Sequence, residues 1–309
     1  MRVADIEPLS VSREDVKALF PRLPQNAHKG MLGRVLVICG SYDGNGISMS
    51  GAAYFAASAA YRCGAGIVEI FTPRKNYEAL ASNIPEAVFC LYESQEKLSD
   101  ICARAQDSIR RADCVVIGCG LGRSDVARAI LRTTLSCVSC PLVIDADALN
   151  IMSEDDSMWS LLSHRQRART VITPHAGEMS RLCGKSIADI LSDTPNTALT
   201  YAAEKGVICL LKHHNTAISD GKTLYVNHSG NSGMASGGMG DVLAGITGAL
   251  LARDIYADSR KGSDRTLYRV AVAAYLHGLA GDGAAERLCE YSLMASDVVD
   301  EIPEILRAL

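Results

Sequence analysis

The sequence lacks the features that mark membrane, secreted and nucleic-acid-binding proteins. Its 309 residues contain no apolar run of the roughly 18 residues that a transmembrane helix needs. Arg2, Asp5 and Glu7 stand near the start with no apolar segment behind them, so a signal peptide is not expected. The net charge of −4 offers no broad basic surface. We therefore expect a cytoplasmic protein that acts on small molecules, without nucleic acid or membrane partners.

The eleven cysteines do not indicate a disulfide framework. The chain is long enough to bury its own core and shows no export signal. Most of the cysteines lie in apolar runs such as Val37–Cys39 and Val207–Leu210, where a thiol behaves as a small buried hydrophobe. Cys137 and Cys140 form a single CxxC without a second pair or a histidine at ligand spacing. A redox or zinc role for that pair is the minor alternative.

Short apolar runs alternate with longer helical stretches, which is typical of an α/β fold with a mostly parallel central sheet. Asp220-Gly221 predicts a hairpin turn between two further strands. The predicted strands are Arg34–Cys39, Ile67–Phe71, Ala87–Leu91, Cys114–Ile117, Leu142–Ile144, Thr170–Ile172, Val207–Leu211, Ala217–Ser219 and Thr223–Val226.

The helical stretches between and after these strands predict layers on the faces of the sheet. We expect a single domain over residues 1–309, in which residues 1–30 form a helical extension packed on the rest. The polar segment Asp254–Asp264 predicts a surface loop. The predicted helices are Arg13–Phe20, Ser48–Cys63, Leu98–Arg111, Asp125–Cys137, Pro195–Lys205, Asp241–Arg253, Tyr268–Gly281 and Ser296–Leu306.

The densest chemical signal is the glycine-rich segment Asn231–Asp241, which precedes an apolar helix. Small residues let the backbone approach a ligand, and the free N–H groups of a first helical turn bind anions. We predict an anion hole at Gly237, Gly238, Met239 and Gly240. Asp241 would take a proton from an attacking hydroxyl beside that hole, and the alternative is that it only caps the helix.

Four other predicted strands end in polar or glycine-rich segments. Gly118–Gly122 resembles a dinucleotide fingerprint whose third glycine comes one place early, which still indicates a ligand crevice. The carboxylates in Asp145–Asn150 suit either a magnesium shell or a helix cap. His175 with Glu178, and Lys212, follow the next two strands. Because parallel strands end at one edge of a sheet, we expect these groups to converge there.

The chain resembles the ADP-dependent NAD(P)H-hydrate dehydratases, a family with a ribokinase-like three-layer α/β sandwich fold. The resemblance extends over nearly the whole length, in blocks that occur in the order of the family. The blocks are His28–Gly30, Val35–Ser41, Gly51–Ala53, Arg62–Gly66, Pro85–Ala87, Gly120–Gly122, Asp145–Asn150, Thr173–Glu178 and Gly230–Gly245.

The resemblance implies that ADP phosphorylates the ring hydroxyl of the (S)-hydrate of NADH or NADPH and that phosphate then leaves. It implies Mg²⁺ beside the nucleotide, with Glu178 near the metal through phosphates or water. It also implies a homo-oligomer, with a tetramer as the expected form. The residues implied to contact the hydrate are Ala52, Gly122, His175 and Asp241, and those implied to contact the adenine nucleotide are Lys212, His213, His214, Asn215, Thr216 and Gly240.

Three features depart from the family pattern. His213-His214-Asn215 replaces the small residues and single histidine expected after the lysine. This difference affects the expected backbone geometry at the adenosine and the expected choice of ADP over ATP. The segment Tyr42–Ser50 is longer and more polar than expected. About 30 residues precede the first predicted strand, so we expect no N-terminal epimerase domain in this chain.

Two alternatives share the same glycine-rich loop. A small-molecule kinase of this fold acting on a vitamin-precursor alcohol would keep Asp241 and differ in what binds near Ala52 and His175. A nucleotide-sensing protein without turnover would bind the nucleotide and have no use for Asp241 as a base.

Overall fold

A nine-stranded sheet in the order β3-β2-β1-β4-β5-β6-β7-β8-β9 organises the chain. The computed structural model describes residues 6–43, 45–162, 169–253 and 262–309, with side chains from residue 265 in the last range. Neighbouring strands from β3 to β7 run parallel, and β8 and β9 are antiparallel to their neighbours. The strands are β1 Arg34–Ile38, β2 Ile67–Pro73, β3 Val88–Tyr92, β4 Cys114–Ile117, β5 Leu142–Ile144, β6 Thr170–Ile172, β7 Ile208–Leu211, β8 Thr216–Ser219 and β9 Leu224–Asn227.

Helices cover both faces of this sheet. One apolar core lies under α2 and α10–α12, and a second lies under α4–α9 on the opposite face. Strands β4, β5 and β7 are buried at every position, as expected for strands covered on both sides. The helices are α1 Arg13–Leu19, α2 Ser50–Arg62, α3 Tyr77–Asn83, α4 Leu98–Arg111, α5 Asp125–Cys137, α6 Ala146–Glu154, α7 Ala176–Cys183, α8 Ile187–Ser192, α9 Thr194–Lys205, α10 Met239–Ala252, α11 Gly262–Leu288 and α12 Ala295–Arg307.

The predicted fold class is confirmed, and most boundaries agree within one or two residues. Strands β4, β5 and β6 and helices α4 and α5 have the predicted limits. The largest difference is α11, which spans Gly262–Leu288 where Tyr268–Gly281 was predicted. The prediction of a surface loop over Asp254–Asp264 is therefore wrong from Gly262 onward, where the chain is helical. Residues 254–261 lie outside the described residues.

The N-terminal extension attaches at two points. Leu9 adds one bridge to the free edge of β9, because its N–H donates to Leu224 O at 2.9 Å and its carbonyl accepts from Val226 N–H at 3.0 Å. Helix α1 follows a capping box formed by Ser12 and Asp15, and it buries Val16. The sequence-predicted helix at Arg13–Phe20 is thus present one residue shorter, packed against α11.

All eleven cysteines are free thiols. Five of them, including Cys39, Cys119 and Cys209, are buried, five are partly accessible, and Cys289 is exposed. Cys137 ends α5, and Cys140 precedes β5. Neither is in a disulfide. No helix among the described residues is both long and apolar enough to cross a membrane.

Candidate active site

An ion pair between Asp145 and Lys212 lies at the centre of the carboxyl edge of the sheet. Asp145 directly follows β5 and Lys212 directly follows β7, and Lys212 Nζ lies 2.8 Å from Asp145 Oδ1. The Asp145 side chain is 1% exposed and that of Lys212 is 21% exposed. Burial acts to lower the pKa of Lys212, but the negative charges of Asp145 and Glu178 outweigh it and raise the pKa. Lys212 is therefore a fixed cation at the end of β7.

His175 and Glu178 form a unit at the start of α7. The His175 ring accepts hydrogen bonds at Nδ1 from the N–H groups of Gly177 and Glu178, at 3.0 and 3.3 Å. This arrangement assigns the ring proton to Nε2, which lies 3.3 Å from Glu178 Oε1. Burial and the Lys212 charge lower the pKa of His175, so the ring is neutral near pH 7.

Glu178 is a buried carboxylate that faces the same cation. It is 4% exposed, its Oε2 accepts the His175 backbone N–H at 2.9 Å, and the same oxygen is 4.0 Å from Lys212 Nζ. Burial raises the pKa of Glu178, and the Lys212 charge opposes that shift. The structure thus brings together His175, Glu178 and Lys212 at the ends of β6 and β7, as the sequence predicted.

The glycine-rich segment ends in the first turn of α10. Gly238 flanks this helix with φ of 93°, and the first intrahelical bond runs from Val242 N–H to Gly238 O at 3.0 Å. The N–H groups of Met239, Gly240 and Asp241 therefore have no acceptor within the helix. Gly238 holds the N-cap position and Asp241 is the third helical residue, so Asp241 does not occupy the cap position that the alternative assigned to it.

Gly240, in the first turn of α10, lies against the ion pair. A Cβ atom at this position would lie 3.3 Å from Lys212 Nζ and 3.6 Å from Asp145 Oδ2. The first turn of α10, with its free N–H groups, thus lies beside the Lys212 cation. Gly240 of the predicted anion hole and Lys212, the predicted nucleotide-contact lysine, are therefore neighbours.

Asp241 faces a second carboxylate and a thiol. Ligand atoms of Cys119, Asp145 and Asp241 all lie within 4.8 Å of one another. Burial and the negative charge of Asp145 raise the pKa of Asp241 from its ordinary 3.8 to about 6, while a hydrogen bond from Cys119 and the charge of Lys212 act in the opposite direction. Asp241 therefore changes protonation close to neutral pH.

Asp145 and Asp147 point to different partners. Ala146 between them has a φ of 48°, a conformation that residues other than glycine rarely adopt. Asp145 binds Lys212, whereas Asp147 Oδ2 accepts the N–H of Gly122 at 2.8 Å. Asp145 is the residue that flanks α6, and it makes no cap hydrogen bond. The helix-cap alternative for these carboxylates is thus wrong, and they organise the site.

The Gly118–Gly122 loop packs tightly between α2 and α6. A Cβ atom at Gly118 would lie 1.9 Å from the carbonyl oxygen of Asp145, so a side chain there would displace that residue. A Cβ at Gly120 would lie 2.9 Å from Ala52 Cβ. Ala52 and Gly122 are both implied to contact the hydrate. Ala52 packs against this loop, and Gly122 ends it with a hydrogen bond to the Asp147 carboxylate.

The predicted nucleotide loop, from Lys212 to Thr216, is held by its own side chains. Thr216 Oγ1 donates to His213 O at 2.8 Å, and His213 Nε2 lies 3.2 Å from His214 Nδ1. His214 Nε2 is 3.0 Å from the Asn215 amide, whose oxygen is 2.8 Å from His228 Nδ1. The polar residues that depart from the family pattern thus form a chain of contacts that links the loop to the segment after β9.

Three groups of this site were not identified from the sequence. Cys119 was noted only as part of a glycine-rich loop, and the pairing of Asp145 with Lys212 was not foreseen. His277 on α11 has a buried Nε2 without a hydrogen-bond partner among the described residues, and burial followed by the Lys212 charge lowers its pKa to about 4. No sequence signal marks it, because a single histidine inside a long helix belongs to no recognisable motif.

The family model for NAD(P)H-hydrate dehydratase matches residues 35–304. An ADP-dependent (S)-NAD(P)H-hydrate dehydratase from Streptococcus thermophilus is 33% identical over 95% of this chain and 96% of its own length. A bifunctional NAD(P)H-hydrate repair enzyme from Moorella thermoacetica is 35% identical over 95% of this chain and 53% of its own length. The chain thus spans about half the length of the bifunctional relatives that it matches.

Solved structures agree with this similarity. A protein from Streptococcus mutans superimposes with a TM-score of 0.80 at 28% identity, covering 97% of this chain and 99% of that one. The ADP/ATP-dependent NAD(P)H-hydrate dehydratase from Bacillus subtilis, crystallised with ATP and Mg²⁺, has a TM-score of 0.76 at 25% identity, with 96% and 97% of the chains covered. A hydroxyethylthiazole kinase from Pyrococcus horikoshii, at 17% identity and a TM-score of 0.59, shares the fold.

Proposed function

Because the chain belongs to the NAD(P)H-hydrate dehydratase family, we propose that it catalyses the ADP-dependent dehydration of the (S)-hydrate of NADH or NADPH. The products are NAD(P)H, AMP and phosphate. The observation that carries this proposal is the position of Asp241, whose pKa of about 6 suits a general base, beside the free N–H groups of α10 and the Lys212 cation. A base, an anion hole and a cation are what phosphoryl transfer to a hydroxyl requires.

The first step is transfer of the β-phosphoryl group of ADP to the ring hydroxyl. Asp241 accepts the hydroxyl proton as the oxygen attacks phosphorus, and AMP leaves. The N–H groups of Met239 and Gly240 hold the oxygens of the transferring group, and the positive end of the α10 dipole stabilises their charge. Lys212 lies on the other side of Gly240 and binds the nucleotide phosphates.

The second step is elimination. Phosphate is a far better leaving group than hydroxide, and the lone pair of the ring nitrogen expels it by breaking the carbon–oxygen bond. Loss of a proton from the neighbouring ring carbon then restores the ring double bond. In this proposal the neutral His175 ring, Ala52 and Gly122 position the hydrate for both steps, and their packing around the carboxylates supports that role.

The carboxylates of the site fit Mg²⁺ only in part. Mg²⁺ prefers oxygen ligands and is usually held by one or two carboxylates together with substrate phosphates. Cys119 has a pKa raised well above its ordinary value by its contact with Cys39 and by burial, so it remains a thiol and a poor Mg²⁺ ligand. Asp145 is already paired with Lys212. Glu178 and Asp145 would hold the ion through water and nucleotide phosphates, and it would supply charge neutralisation at those phosphates.

The test follows absorbance near 340 nm with purified protein, Mg²⁺ and NADH hydrate, with ADP and ATP added in separate runs. We expect an ADP-dependent rise that reflects formation of NADH. A phosphorylated product that persists, with no rise in absorbance, would refute the dehydration and point to a kinase of the same fold. A rise with ATP alone would keep the reaction and identify the His213–Asn215 loop as the origin of the nucleotide choice.

We further propose that the protein works in the cytoplasm as a homo-oligomer, with a tetramer as the expected form. This proposal extends the family resemblance of the sequence, which implies a tetramer. Size-exclusion chromatography with light scattering measures the mass of the assembly directly. A monomer of 32.9 kDa at working concentration would refute it.

A further inference from the structure

A cavity of about 890 Å³ opens beside the catalytic edge, away from the predicted ADP loop. Gly122 and Arg123 after β4 form its near wall, Ser41 and Tyr42 after β1 its floor, and residues after β2 and β3 its far wall. Its volume lies in the range of small-molecule sites, roughly 300–1,000 Å³. Because Gly122 is held by Asp147, the cavity adjoins the carboxylates described above.

The order of the strands separates this cavity from the nucleotide loop. Lys212 follows β7, whereas the far wall follows β2, on the other side of β5 and Asp145. Strands lie about 4.8 Å apart, so roughly 14 Å separate β5 from β2 and roughly 10 Å separate β5 from β7. A ring bound at Asp241 cannot reach β2 by itself. The two riboses, pyrophosphate and adenine of a dinucleotide are long enough to do so.

The far wall offers an aromatic ring and a cation. Tyr77 begins α3, is 42% exposed, and packs edge-on against Phe89 with centroids 5.3 Å apart, which fixes its ring and leaves area for a base. Lys75 is exposed at the end of β2. Arg74 beside it is paired with Glu93 at 3.0 Å, while no carboxylate lies within ion-pair distance of Lys75 in the part of the chain that the structure describes.

We propose that this cavity binds the adenosine half of the hydrate substrate, with adenine against Tyr77 and a phosphate of the dinucleotide at Lys75. The proposal rests on the proposed function for the identity of the substrate. The hydrate and ADP then approach Asp241 from opposite ends of the sheet edge. Lys75 and Tyr77 take no part in the chemistry and act on substrate affinity.

The test measures the binding of NADH and NADPH, the stable products, by isothermal titration calorimetry, and the KM for the two hydrates. Lys75→Ala should weaken binding and raise KM about tenfold with kcat unchanged, as expected for loss of a hydrogen bond to a charged group worth roughly 1.5 kcal/mol. Tyr77→Ala should weaken binding about fivefold, and Tyr77→Phe should not. Lys222→Ala, in the turn between β8 and β9, is the matched control.

The two dinucleotides distinguish the phosphate that is bound. A loss confined to NADPH supports contact with the 2′-phosphate, and an equal loss for both supports contact with the pyrophosphate. Affinities and KM values for Lys75→Ala and Tyr77→Ala that match the Lys222→Ala control would overturn the proposal. The wild type could bind NADPH more tightly than Lys75→Ala and still show no ADP-dependent turnover. That result would refute the proposed reaction and support the binding site in this cavity.

Discussion

Replacing Asp241 by asparagine should lower activity and raise stability at the same time. The amide has nearly the same shape, so the fold and the Gly240 backbone should be unchanged, but it cannot accept the hydroxyl proton. Loss of a general base typically lowers the rate by about 10²–10⁴. We therefore expect kcat to fall by about a hundredfold or more while affinity for ADP stays within about threefold.

The variant should be more stable because asparagine removes the buried charge of the Asp241 carboxylate. Burial and Asp145 raise the pKa of Asp241 from 3.8 to about 6. Ionised Asp241 at neutral pH therefore destabilises the folded state by about 3 kcal/mol relative to an unshifted carboxylate. The folded state keeps a proton that the unfolded chain releases, so this stability is present at low pH and is lost as pH rises from about 3.8 to 6.

Asp241→Asn should consequently melt higher than the wild type by roughly 5 °C at neutral pH, and the difference should shrink toward zero near pH 4. Thermal denaturation followed by circular dichroism at several pH values, without nucleotide or Mg²⁺, measures this, and the coupled absorbance assay gives kcat. Full activity in the variant would show that Asp241 is not the base. Lost activity with no pH-dependent gain in stability would show that the carboxylate is not desolvated and would refute the pKa argument.

Three further predictions concern the groups around Asp241. Gly240→Val should abolish ADP binding in calorimetry, because its side chain would occupy the space 3.3 Å from Lys212 Nζ, and normal affinity would mean that the nucleotide lies elsewhere. Lys212→Met leaves Asp145 buried without its partner and should cost about 3 kcal/mol of unfolding free energy, which Lys212→Met/Asp145→Asn should largely restore without restoring activity. Recovery of activity in the double variant would refute the role of Lys212 at the phosphates. Cys119→Ala removes the hydrogen bond that lowers the pKa of Asp241, so the acid limb of kcat/KM should move to higher pH, and an unchanged limb would separate Cys119 from the base.

The sequence predicted the strands of this sheet well because they are short apolar runs in a buried parallel arrangement. Cys114–Ile117 and Leu142–Ile144 have no polar interruption, and a glycine or a carboxylate stands directly after them. Short helices were harder to predict. His175 precedes α7 and caps it through a ring nitrogen, and histidine is not among the residues that usually signal a helix start.

The sequence indicated which residues lie at the site, but it did not indicate how their side chains pair. Convergence at one sheet edge follows from parallel topology, so His175, Glu178, Lys212 and the glycine-rich loop could be assigned to one place. The ion pair of Lys212 with Asp145 joins residues 67 positions apart, and periodicity carries no information about such a pair. The sequence also left a cap role for Asp241 open as the minor alternative, because only the φ of 93° at Gly238 fixes where α10 begins.

The location of Asp241 on the first turn of α10 also links nucleotide binding to proton uptake. The helix dipole and Lys212 favour the ionised carboxylate, whereas burial and Asp145 oppose it, and the balance gives a pKa of about 6. The phosphates of ADP would add negative charge beside Gly240, so the pKa of Asp241 should rise further in the complex. The acid limb of kcat should then lie at higher pH than that of kcat/KM, and ADP binding near pH 6.5 should take up protons, which calorimetry in buffers of different ionisation enthalpy detects. Coincident limbs and no proton uptake would mean that the phosphates bind too far from Asp241 for it to act on the transferring group.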